Sequence, residues 1–136
     1  MGLAEKRVSA AYQKDKFPAW KQKLNELVGY ELTFDVSWDE LVKEGFLDAY
    51  PNTIDNNFFI PLEAALKSIC ADDLGRDSLK AKIKGIRITS IRGWSSLEVK
   101  VEGDRLLLDA DPSYYRDDSC VADYTQQITK MLESAL

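Results

Sequence analysis

Residues 86–110 read IRITSIRGWSSLEVKVEGDRLLLDA, and the architecture turns on how this stretch pairs with itself. Ile86-Arg87-Ile88-Thr89 alternates apolar with polar, and so do Leu97, Val99 and Val101 with the residues between them, the period of a strand with one face on a core. Gly103-Asp104 is a two-residue hairpin loop with glycine at the first central position, where a positive φ is required. That loop sets a register: Glu102 opposite Arg105, Val101 opposite Leu106, Val99 opposite Leu108, Leu97 opposite Ala110. Both apolar rows then share one face, so turn chemistry and hydrophobic pattern agree. With Arg92-Gly93-Trp94-Ser95 read as the preceding turn, the stretch becomes a three-stranded meander. The same register sets Glu98 opposite Asp109, a like-charge pair that Arg87 on the neighbouring strand would neutralise.

Upstream, Phe17, Trp20, Leu24, Leu27 and Val28 form a helical stripe, and Pro18 suits a helix start. Helices are predicted over about 4–14 and 16–28, with a break or kink between. Leu32, Phe34 and Val36 alternate as an early strand. Ser37 and Glu40 have the spacing of a capping box, which predicts a short helix running to Gly45. Residues 46–60, with Tyr50-Pro51-Asn52 and Asn56-Asn57, read as a loop. Pro61 opens a helix bearing Leu62, Ala65, Leu66 and Ile69, and Gly75 divides it from a further helical turn or two. Val121, Tyr124, Ile128, Met131, Leu132 and Ala135 make a closing helix stripe. The expectation is a single α+β domain over residues 1–136. It has a mainly antiparallel sheet of about four strands, one early strand plus the meander, with helices packed largely on one face.

Composition excludes more than it assigns. The 136 residues contain no histidine and two cysteines, Cys70 and Cys120. Ser-His-Asp and Cys-His catalysis and the usual zinc sites are therefore out, and no disulfide framework is available. No catalytic residue, metal or cofactor is expected, and the chain is read as a non-enzyme. No apolar run is long enough for a membrane span, and the first residues lack the apolar core of a secretory signal, which points to a cytoplasmic protein. The net charge is −5, and residues 31–80 alone carry eleven acidic side chains against four basic ones. That balance argues against nucleic-acid binding, which needs a basic surface.

The stretch DADPSYYRDDSCVADY, residues 109–124, gathers five aspartates. Each has a local use. Asp109 faces outward on the last strand, Asp111-Pro112-Ser113 is turn chemistry, Asp117 and Asp118 cap the last helix, and Asp123 points to solvent. Cys120 is read as a structural thiol and Cys70 as core. The candidate partner or ligand contacts are Trp94 and Arg92 in a tight connection, Leu107 on the outward sheet row, and Tyr50 and Phe58 in the 46–60 segment. For Trp94 the alternative is a ring folded back over the sheet end; for Phe58 it is anchoring of the loop to the core.

The stretches GLAEKR (2–7), FPAWKQKL (17–24) and DVSWDEL (35–41) resemble those of small uncharacterised bacterial proteins of the kind carried as mobile gene cassettes. The resemblance implies a bacterial cytosolic origin and carries over no functional residue. The functional expectation is a protein-interaction or self-associating domain, acting through a protein partner or a homodimer. One alternative is a small-ligand domain with a pocket between the sheet and residues 46–60; another is an acidic, immunity-like binder of a basic protein.

Overall fold

The strands of residues 86–110 do not form a meander. In the computed structural model, which describes residues 2–136, β1 (Thr33–Val36), β2 (Gly85–Thr89), β3 (Glu98–Glu102) and β4 (Arg105–Asp109) form one sheet in the order β1-β2-β4-β3. The β3–β4 hairpin has the register its turn dictates, from Glu102 opposite Arg105 to Glu98 opposite Asp109, and Gly103 takes φ 61° in the turn. β4, however, lies between β2 and β3 and runs parallel to β2, which in turn runs parallel to β1. The sheet is mixed and mostly parallel, which corrects the antiparallel expectation. Residues 90–97 are long enough to step over one strand, so β2 and β3 need not be neighbours.

Alternation places Phe34, Val36, Ile86, Ile88, Leu106, Leu108, Val99 and Val101 on the core face. The helices lie against this face: α1 (Leu3–Asp15), α2 (Phe17–Val28), α3 (Trp38–Leu41), α4 (Tyr50–Ile54), α5 (Ile60–Ile69), α6 (Asp73–Lys82) and α7 (Val121–Ala135). The kink between α1 and α2 falls at Lys16, and Pro18 sits in the first turn of α2, where a missing N–H costs nothing. The stripe of α7 buries Tyr124, Ile128 and Leu132.

Three local expectations are corrected. Residues 46–60 are helical rather than a loop: a short 3₁₀ turn Leu47–Ala49 leads into α4, and a wide π turn over Asp55–Phe59 joins α4 to α5. In that turn the Ile60 N–H bonds to the Asp55 carbonyl, one residue further back than in an α-helix. The wider turn gives room for Pro61, whose ring would otherwise crowd the carbonyl four residues before it. Secondly, α3 stops at Leu41, and no capping box forms because Glu40 instead accepts the Ser90 N–H. Thirdly, Gly75 lies inside the first turn of α6, which Asp72 caps. A Cβ there would stand 1.8 Å from the Ile69 carbonyl oxygen, so this turn packs on the end of α5 only because residue 75 has no side chain.

Candidate functional site

Because β4 separates β2 from β3, residues 90–97 arch across the end of β4, and Asp109 at that end receives the arch. Its carboxylate accepts from the Thr89 hydroxyl at 2.7 Å, the Ile91 N–H at 2.8 Å and Arg92 Nε at 2.7 Å. Arg92 also donates to the carbonyls of Asp109 and Ser96, and the Asp111 N–H closes the arch on the Ser95 carbonyl. Burial alone would raise the Asp109 pKa; the hydrogen bonds from Thr89, Ile91 and Arg92 and the guanidinium charge outweigh it and hold the carboxyl below its usual range. Arg87, assigned to this charge from sequence, instead pairs with Asp35 at 2.5 Å. The reason is topological: β2 has β1 on its other side, and Asp35 lies directly across from Arg87.

The pinned arch presents Ile91 and Trp94 to solvent, 72% and 65% exposed. The Trp94 ring is not folded over the sheet; it rests on Tyr114 at 5.1 Å between centroids. Tyr114 contacts Tyr115 at 5.0 Å, and Tyr115 contacts the buried Tyr124 at 5.9 Å, so an aromatic chain runs from surface to core. Arg92, a candidate contact from sequence, is the clamp of this arch.

The other candidates disperse. Leu107 is half-buried on the open sheet face between Arg87 and Lys100, whose apolar stems flank it. That face also carries Asp35, paired with both Arg87 and Arg105, and Glu98, paired with Lys100, which makes it a charged surface. Tyr50 and Phe58 are core residues, 2% and 0% exposed. With Ile54, Phe59 and Leu62 they belong to the hydrophobic core.

Sequence reading missed Asp55. In the π turn it lies 8% exposed and accepts from Tyr12 Oη at 2.6 Å, Trp20 Nε1 at 3.0 Å and Lys16 Nζ at 2.5 Å. Tyr12, Lys16 and Trp20 are four residues apart, so three donors line one stripe of α1–α2; that spacing was the available signal. Burial, then the hydrogen bond and charge of Asp55, push Tyr12 far above the ordinary phenol range and keep it a donor. A groove of about 460 Å³ beside this cluster is lined by Trp20, Lys16, Lys23, Gln22 and Glu26. With three donors on its two oxygens, Asp55 is a latch between α1–α2 and the π turn.

The aspartates of 109–124 take up structural posts. Asp111 accepts from the N–H and hydroxyl of Ser113, Asp117 from those of Ser119, and Asp123 from Gln127. Among the described residues no group of three acidic or thiol side chains is placed to hold a metal. Burial, with Asp117, Asp118 and Asp123 nearby, pushes the Cys120 thiol up to about 11, the opposite of activation. No helix of the described residues is long and apolar enough to cross a membrane.

The class defined by these elements is an α+β domain with a mixed four-stranded sheet, helices on one face and an aromatic-tipped arch at the sheet end. Compared with protein-family models, curated proteins and solved structures, the chain gives no match.

Proposed function

We propose that the chain is a non-enzymatic interaction domain that works through a protein partner or a second copy of itself, with Ile91 and Trp94 as contact residues. The observation that supports this is their exposure on a backbone that Asp109 holds in place. Large apolar side chains on a pinned arch lose little conformational freedom on binding, the condition under which Trp becomes an anchor. Light scattering on a sizing column across a salt series, followed by retention of bound protein, tests it. Trp94→Ala and Ile91→Ala are expected to reduce association while changing stability by less than about 0.5 kcal/mol, as for exposed positions. Undiminished association in both variants would sink the assignment.

A second reading, a basic partner, is favoured by Glu5, Asp39 and Glu44, which line one groove with Gly2 and Val42 and take part in no ion pair among the described residues. It calls for partner affinity that falls steeply with salt. Salt-independent binding counts against it.

A further inference from the structure

Among the described residues the outer edge of β3 has no strand beside it, and none of the backbone hydrogen bonds made outside the regular elements involves Glu98–Glu102. Its side chains read Glu-Val-Lys-Val-Glu, with the charges exposed and Val99 and Val101 only half-buried at the rim of the core. Charged edges commonly block strand addition. Here the charges alternate in sign, so they block some registers and favour another.

Consider two copies meeting edge to edge about a two-fold axis. Registers that move Val99 to the open face are excluded, because the valine row would leave the core side. An axis through Lys100 sets Lys100 against Lys100 and Glu98 against Glu102, all like charges. An axis through Val101 sets Lys100 against Glu102 but Glu98 against Asp104, and runs the pairing into the Gly103 turn. An axis through Val99 sets Glu98 against Lys100 twice, Val99 against Val99, and Leu97 against Val101. Only this last register sets no like charges against each other: it pairs Glu98 with Lys100 and apolar with apolar, and leaves Glu102 opposite the neutral Ser96.

We infer that β3 is a homodimerisation edge: a second copy of this chain adds antiparallel in the Val99-centred register, joining two four-stranded sheets into one of eight strands. This deepens the self-association reading above and rests on it. The contact is distinct from the Ile91–Trp94 arch, so the two can fail separately.

The test exploits the charge arithmetic. In an E98K dimer Lys would face Lys100, and in a K100E dimer Glu98 would face Glu; each variant alone is expected to be monomeric by light scattering. Mixed together they are complementary at both pairs, and the mixture is expected to recover the dimer mass at low salt. The mixture also controls for folding, because misfolded variants would not recover it. A monomeric wild-type protein at the highest concentration reached overturns the inference. So does a dimer that persists in E98K, which would point to the Lys100- or Val101-centred register or to another surface. If that persistent dimer is lost in Trp94→Ala, the arch reading stands and the edge does not.

Discussion

Asp109 takes its three hydrogen bonds from residues that passed over it twenty positions or fewer earlier in the chain, and its charge is answered by Arg92 rather than by any strand neighbour. Its pKa is lower in the folded protein than in the unfolded chain, so the unfolded chain takes up the proton first as pH falls. The stabilisation is therefore complete above the ordinary aspartate range and is lost as pH drops through the depressed native value. Urea melts at stepped acid pH are expected to show this loss in the wild type and a flatter acid limb in Asp109→Asn. At neutral pH that variant is expected to be about 2–3 kcal/mol less stable, the scale of losing hydrogen bonds to a charged group in a mostly buried site. The sequence marked Asp109 as a carboxylate facing another carboxylate, and the structure keeps that opposition in register. Its actual partner was illegible because Arg92 approaches from a connection whose path depends on strand order.

At the scale of elements, the π turn carries most of what sequence reading missed. Asparagine pairs and a Tyr-Pro-Asn run are ordinary loop vocabulary, yet here Asn57 is fully buried and its amide donates to the carbonyls of Thr53, Pro112 and Tyr115. Asp55 faces the other way and holds α1–α2. Two residues apart on a helical turn, Asp55 and Asn57 point to opposite sides, so one segment ties α1–α2 on one side and the 112–115 segment on the other. Asp55→Ala is expected to cost about 2–4 kcal/mol, because it leaves the buried Tyr12 hydroxyl without its acceptor. A Tyr12→Phe/Asp55→Ala cycle measured by chemical denaturation should show strong coupling, and simple additivity would mean the latch is idle. Gly75→Ala is expected to cost about 3 kcal/mol by forcing the start of α6 off the Ile69 carbonyl, and an unchanged Tm would contradict that close approach. The helices with clean stripes, α2 and α7, were legible because one face of each is simply apolar. The close approach at Gly75 was not, since nothing local distinguishes a packing glycine from a breaker.

For the whole molecule, hydrophobic alternation gave the strands and their shared face, and turn chemistry gave one pairing of three. What it could not give was which strand lies beside which, because the core rows of β2, β3 and β4 are interchangeable in pattern. The same ambiguity explains the candidate contacts. Tyr50 and Phe58 were candidate contacts because their segment was read as a loop, and of the two readings given for Phe58 the structure has the anchoring one; Trp94 is exposed because a large aromatic between Gly93 and Ser95 has little local core to enter.

Placing β4 in the middle of the sheet also has a consequence for biosynthesis. A nascent chain that has emerged as far as Asp104 holds three of the four strands but only one of the three strand pairings, β1 on β2. β3 then has no neighbour, and the gap beside β2 stays open until Arg105–Asp109 leaves the ribosome. The Arg92 clamp likewise waits for Asp109. The sheet is therefore completed by the strand that emerges last of the four, so two of its three pairings form together rather than by strand-by-strand accretion.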